Sequence, residues 1–427
     1  VSATADLLAF AGADHVLQEQ VQADALRLLA DTLAVGAAGA GAPGGDAILV
    51  AARAMGSDAE ARLIGSSEHL PAPAAAFVNG YRIHCLEWDA VHEPAVVHAL
   101  STVVAALGAA IDRRGGCDAE AALAALAVGV DVAAGLGLAA DSPLTFFRPA
   151  TAGVVGAALA VARIDGAPLD DTLGLAVSSA AGTMQAHVEG LATLPFQIAN
   201  AARAAVTASD LARAGFPGPK DPLEGQFGYF RLFDSGDLSR YTRDLGKVWR
   251  ISEVSVKPFP SGRASHGMLG AIFDLGLRAQ DVQALEMSVP PLVQRLIGRQ
   301  FRADMTPAYA RLCGPLLAAL ALRDGVIDPR CLTPDAFADP ALAELAGRIT
   351  IQTDDNPDPN ALSPQRMAVH DADGRKDTHI PNTLGSPEAP LSPAQAQAKL
   401  NLARDLAPVD HDPRIFADPL AYFTGTP

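Results

Sequence analysis

Aromatic residues make up only 5% of the 427 positions, and there are only four cysteines. Those four, Cys85, Cys117, Cys313 and Cys331, form no CxxC pair and no Cys/His zinc spacing. A zinc-ribbon or disulfide-framework protein is therefore excluded, and a reducing, cytoplasmic setting is expected. Cations are also in deficit: 32 Lys and Arg stand against 48 Asp and Glu, for a net charge of −16. That balance argues against nucleic acid or an anionic membrane as partner, although a locally basic pocket can still hold an anion. GxxxxGK[ST], GxSxG and HExxH are all absent, so a P-loop, a nucleophile elbow and a zincin site find no support. The opening VSATADLLAFAGADHV has no basic run ahead of its apolar residues, and no signal peptide is expected from it.

What the chain does have is Ala, Leu and Val. These carry a hydrophobic fraction of 49%, with 19% charged residues, too apolar for a disordered chain. Small apolar side chains let helices approach closely. Helical spacing predicts helices over Gln22–Ala37, Ser101–Arg113, Asp118–Leu136, Ala150–Ile164, Leu169–Met184 and Gln197–Ala214. Gly115-Gly116, Asp165-Gly166 and Gly215 to Gly218 punctuate them. The most apolar stretch, Ala121 to Ala140, contains Asp131 and three glycines, and is read as a buried core helix rather than a membrane span.

Near residue 245 the pattern changes. Trp249–Lys257, Val282–Val289, Arg348–Thr353 and Gln365–His370 alternate and are read as strands. Asp373-Gly374 is read as a turn. Helices are predicted between them at Gly262–Gln280, Pro307–Arg323 and Pro334–Ala346. A last helix, Pro393–Leu406, contains Lys399 and is expected to return to the helical body. The Pro-rich tail after Pro408 reads as extended. The fold expectation is mainly α: a large helical domain over 1–245, a smaller α+β domain over 246–390, and a returning helix and tail over 391–427.

Three segments carry chemistry. Residues 75–101, AAFVNGYRIHCLEWDAVHEPAVVHALS, crowd Asn79, His84, Glu87, Asp89, His92, Glu93 and His98 together. Imidazoles change charge near neutral pH, and neighbouring carboxylates tune them, which suits proton transfer. FFRPATAGVVG places Arg148 before Pro149 at a helix start, where free N–H groups and a guanidinium can converge on an anion. KPFPSGRASH brings Lys257, Arg263 and His266 close together, which suits a carboxylate.

These segments also carry a resemblance. AAFVNGYRIHCLEWDAVHEP followed by VVHALSTVVAALGAA resembles the first signature of the MmgE/PrpD family. EGLATLPFQIANAARAAVTASDLARAGFPGP with LEGQFGYF, then KPFPSGRASH, then GSPEAPLSPAQAQAKL, resemble later stretches of the family in order. The resemblance implies a large all-helical domain with a smaller α+β lid, in a homodimer. It also implies a cofactor-independent, metal-free enzyme moving a proton next to a carboxylate of a small di- or tricarboxylate. Known members include 2-methylcitrate dehydratase, cis-aconitate decarboxylase and iminodisuccinate epimerase. Carried over by position, His98 is the proton-transfer residue, Glu87 orients it or holds the substrate, and Lys257 is the lid lysine. Arg148, Arg263, His266 and His92 are the expected substrate-binding groups. The sequence departs from the family pattern at Val91, Ala99, Arg148, Leu194 and Leu316, where Thr, Pro, a second His, Lys and Tyr are usual. A lyase is expected first. An epimerase, or a member that binds a carboxylate without turnover, are the alternatives.

Overall fold

The computed structural model describes residues 2–425. The chain is mainly α: helices dominate, and the four strands longer than two residues all lie between Ala284 and Ile380. Buried apolar side chains form two clusters. One gathers residues from Leu7 to Val256 with Leu312 and a late group from Ala403 to Phe423. The other gathers Ala264 to Ile380 with Leu144.

Five helices make the centre of the first cluster: Ala72–His84, Ala99–Arg113, Ala119–Ala139, Gly153–Asp165 and Thr193–Arg213. Their close packing follows from the small residues. A Cβ added at Gly156 would run into the Gly129 carbonyl and lie 2.8 Å from Ala133 Cβ, so the Ala119–Ala139 and Gly153–Asp165 helices cross almost backbone to backbone. Ala119–Ala139 is long and apolar enough to cross a membrane, yet 89% of its most apolar window is buried inside the protein. Asp118 caps its start, accepting from the Glu120 and Ala121 N–H groups. Asp131, the acid in its middle, accepts from the Tyr241 hydroxyl at 2.7 Å and the Arg250 N–H at 2.8 Å. Burial raises its carboxyl to about 6.

Those bonds explain why Trp249–Lys257 is not the predicted strand. Arg250–Glu253 turns as a 3-10 helix, its first N–H taken by Asp131, and only Ser255 bridges to Val91. The alternation that suggested a strand reflects the burial of Ile251, Val254 and Val256 under the helices. The other three predicted strands form, as Ala284–Val289, Ile349–Thr353 and Gln365–Asp371. A fourth, Gly374–Ile380, follows the Asp373-Gly374 turn. Its charged residues hid it: GRKDTHI lies at the sheet edge, where exposed charge is tolerated. The spatial order is Ile349–Thr353, Ala284–Val289, Gln365–Asp371, Gly374–Ile380. The first pair is parallel and the others antiparallel.

The predicted Leu169–Met184 helix stops at Ser178, and three helices predicted in the mixed segment are also shorter than their periodicity suggested. Gly262–Gln280 reduces to Arg263–Ser265 and His266–Asp274. Pro307–Arg323 splits into Pro307–Ala310 and Gly314–Asp324, and Pro334–Ala346 into Pro334–Phe337 and Pro340–Gly347. Pro315 and Pro340 sit in the first turns of the second pieces, where proline is tolerated, and so mark restarts.

Pro393–Leu406 forms as predicted, with a Ser392–Gln395 capping box. Its Lys399 pairs with Asp31 at 2.6 Å and donates to the Trp88 carbonyl at 3.3 Å, which ties the helix back to the first cluster. The tail is not extended. It folds into Arg414–Ala417 and Pro419–Thr424 and buries Ile415, Tyr422 and Phe423. The mixed segment is thus an insertion, leaving the helical body near Val256 and rejoining it near Gly385, where the Val256 N–H donates to the Gly385 carbonyl at 2.9 Å.

Replacing Gly156 with Val should destabilise the protein by about 1–3 kcal/mol through overpacking at this crossing. Urea unfolding checks it; a midpoint unchanged from wild type would contradict the close-approach reading.

Candidate active site between the two cores

The Ala72–His84 helix ends at His84, and the chain then turns sharply, with Glu87 in the left-handed region at φ 54°. This turn lets both acids of the segment face His84. Its Nδ1 lies 2.8 Å from Asp89 Oδ2, and its Nε2 lies 3.6 Å from Glu87 Oε1. The chain then runs to His98, the residue that begins the Ala99–Arg113 helix. His98 Nδ1 lies 3.0 Å from the same Asp89 oxygen, and the Ser101 hydroxyl donates to it as well. From the KPFPSGRASH segment, Lys257 Nζ donates to the Glu87 carbonyl at 2.9 Å and to its carboxylate at 3.3 Å. The same ammonium faces Asp89 Oδ1 at 3.9 Å.

The cluster balances its own charge. Burial opposes ionisation of Asp89, but His84, His98 and Lys257 outweigh it and hold the carboxyl well below its usual range. Burial likewise opposes charge on Glu87, where Lys257, then His84 and His98, win and lower it. The two imidazoles share an oxygen yet shift in opposite directions. At His84 burial is overcome by Asp89 and Glu87 together, and its pKa is raised. At His98 burial prevails over the single pull of Asp89, aided by the Lys257 and His84 cations, and its pKa is lowered. Its place at a helix N-terminus works in the same direction.

An ionised Asp89 only accepts, so the network assigns the His98 proton to Nδ1. Nε2 keeps a lone pair and makes no hydrogen bond among the described residues. His98 lines a cavity together with Glu87, Leu144, Phe147, His187, Leu194 and Arg263, so both cores contribute walls. His84, Asp89 and His98 place ligand-type atoms within 4.8 Å of one another. Both Nδ1 atoms already hydrogen-bond the same Asp89 oxygen, and a cation there would displace those bonds.

The remaining expected residues separate. Arg263 lines the cavity, but its guanidinium is held by Glu93 at 2.7 Å and by the Leu384 and Thr383 carbonyls. His266 is buried behind it against Ser261, and burial, with Arg263 and Lys257, holds its pKa well below the usual value. His92 is turned away from the cavity: its Nε2 meets Glu253 at 3.0 Å and its Nδ1 accepts from the Ala95 N–H. Arg148 is fully buried and spends its donors on Asp234 and on the Ala95 and Ser142 carbonyls, so the helix-start anion site expected there is filled by the protein itself. The orienting contact expected from Glu87 is made by Asp89. Asp89 and His84 stand in the polar segment, His84 three residues before Glu87, but spacing alone gives them no role because it does not reveal the turn at Glu87. His187 was also missed. It lines the cavity from the far wall, where burial and then Arg299 lower it to about 4.

Residues 5–241 match the MmgE/PrpD N-terminal domain, and residues 259–414 match the MmgE/PrpD C-terminal domain. The chain belongs to the MmgE/PrpD family. It is 29% identical to the cis-aconitate decarboxylase-like protein oryM of Aspergillus oryzae, over 58% of this chain and 56% of that protein. To mouse cis-aconitate decarboxylase it is 28% identical, over 61% of this chain and 57% of the relative. Those matches span little more than half of each relative. The match to the Aspergillus terreus cis-aconitate decarboxylase is 25% identical over 92% of this chain and 87% of that protein. Among the family departures, Val91 and Leu194 line the cavity, whereas Leu316 is fully buried in the second core and does not.

In a histidine NMR titration His98 should protonate below the free-histidine value of about 6.5, and His84 above it. A His98 that titrates above that value would contradict the neutral, lone-pair-bearing ring.

Proposed function

We propose that the protein is a lyase that acts on a small polycarboxylate, with His98 as the base that removes a proton from a carbon next to a carboxylate. The observation that carries this is the placement of His98 on the cavity wall, its Nδ1 3.0 Å from the Asp89 carboxylate and its Nε2 without a hydrogen bond among the described residues. The substrate's C–H bond breaks, its proton moves to Nε2, and the electron pair left behind expels hydroxide from the neighbouring carbon, as in a dehydratase. The imidazolium so formed is stabilised by the Asp89 carboxylate beneath it. Decarboxylation runs the same ring in the other direction: the C–C bond to the leaving CO2 breaks, and a protonated His98 delivers the proton. No step in this reading calls on a cofactor.

Apolar walls from both cores exclude water, and the mixed segment acts as the lid. Lys257 holds Glu87 in place through two hydrogen bonds and is a positioning residue. The names of the relatives support the lyase class and a small polycarboxylate.

An epimerase is the second reading. Arg148 is locked on Asp234 and Leu194 is apolar, so the cavity offers few groups to protonate a leaving hydroxyl. Abstraction and return of a proton needs none. In that case solvent deuterium would enter the substrate α-carbon with no net release of water or CO2.

Purified protein should convert at least one of cis-aconitate, 2-methylcitrate, citrate or a substituted succinate. His98→Ala and Asp89→Asn should each lower kcat by about 10²–10⁴-fold. For the elimination, kcat/KM should fall as pH drops below about 6.5, since the base is lost when His98 protonates. Wild-type turnover in His98→Ala would overturn the assignment.

A further inference from the structure

A second cavity adjoins the first and shares His84, Glu87, Leu194 and Leu312 with it. Arg311 lines it, placed where the chain passes from the Pro307–Ala310 turn towards the Gly314–Asp324 helix. The backbone at Arg311 is fixed, its carbonyl accepting from the Gly262 N–H at 3.0 Å. The residue is only 5% exposed. Its side chain has no hydrogen-bond or ion-pair partner among the described residues, and its Nε is buried with none. Arg148 and Arg263, the other deeply buried arginines near the site, each have a carboxylate and backbone carbonyls.

An arginine stays protonated, so this is a desolvated cation with its planar fork unfilled. The neighbouring groups do not fill it. The Tyr81 hydroxyl donates to the Pro43 carbonyl at 2.7 Å, and burial pushes the Cys85 thiol up to about 12, so both stay neutral. Glu87 is the acid facing it, and that carboxylate is engaged by Lys257 at 3.3 Å and by His84 at 3.6 Å. A planar anion with two acceptor oxygens matches the fork.

We propose that Arg311 binds a carboxylate of the substrate, the one remote from the carbon that His98 deprotonates. This rests on the lyase reading, and it narrows the substrate class to molecules with at least two carboxylates, long enough to reach from the His98 cavity past Glu87 into the second. Arg311 sets specificity, in that a monocarboxylate leaves the buried fork empty.

Calorimetry with citrate, tricarballylate, succinate, propionate and inorganic phosphate as probes tests this on wild type, Arg311→Gln, Arg311→Lys, Arg311→Met and His98→Ala. At least one polycarboxylate should bind wild type and lose about tenfold or more in Arg311→Gln, less in Arg311→Lys, and little in His98→Ala. Propionate should bind weakly to all. Without ligand, Arg311→Met should melt at or above wild type, because it removes an unpaired buried charge; a purely structural arginine would give a lower melting temperature. If Arg311→Gln and Arg311→Met do not fold, that counts as a structural role and overturns the proposal. Polycarboxylate binding unchanged in Arg311→Gln, preference for phosphate, or no binding by any probe also overturns it. Arg311-dependent binding with no turnover would instead refute the lyase reading alone. His98-dependent turnover with KM unchanged in Arg311→Gln would refute this inference alone.

Discussion

The oxygen Oδ2 of Asp89 receives His84, His98 and Ser101 at once, and the geometry of the site hangs on that convergence. A carboxylate buried this deeply is costly unless its charge is matched. His84 and Lys257 supply the matching charge, and Glu87 balances the second cation. The consequence is a cluster close to neutral in total, in which one member, His98, is left uncharged. Its reactivity is therefore a by-product of how the others neutralise each other. The ring is not basic because it is exposed; it is available because its neighbours have already settled their charges.

The scaffold makes this possible by bringing three chain segments to one point. The end of the Ala72–His84 helix supplies His84, the start of the Ala99–Arg113 helix supplies His98, and the connection between them supplies both acids. Lys257 enters from the far side, where the chain leaves the helical body. The small residues of the helices matter here too. Close backbone crossings such as Gly129 on Gly156 fix the helix axes, and so fix where helix ends lie relative to one another.

Much of this was legible in the residues. The long helices of the body, the glycine stops and the Pro393–Leu406 helix read correctly, because short-range spacing determines them. The polar segment at 75–101 does fold into one buried cluster that holds His84, Glu87, Asp89 and His98. What spacing does not show is which neighbour a side chain chooses. Asp89 and Glu87 are two residues apart, and only the left-handed backbone at Glu87 decides that Asp89 takes the histidines. Arg148 is saturated by Asp234, 86 residues away, whereas the Arg311 guanidinium has no partner among the described residues. Such distinctions arise from long-range contacts, which a local reading does not contain. The edge strand Gly374–Ile380 was missed for the converse reason, since its charges satisfy solvent rather than a pattern.

The insertion of the mixed segment bears on synthesis. The first long helix, Glu19–Ala38, packs against Pro393–Leu406, and Arg62 donates to the Tyr422 carbonyl and stacks on its ring. During translation the helical body therefore remains unfinished while more than a hundred residues of the insertion emerge. Over that interval the apolar surface under Asp31 and Arg62 is uncovered, and contacts of such long sequence separation close late. The insertion, whose own core is nearly self-contained, can fold first and hold its two connecting segments side by side at Val256 and Gly385. That pre-formed junction shortens the loop the body must close, so a segment added to build one wall of a cavity also serves as the clasp on which the larger part is assembled.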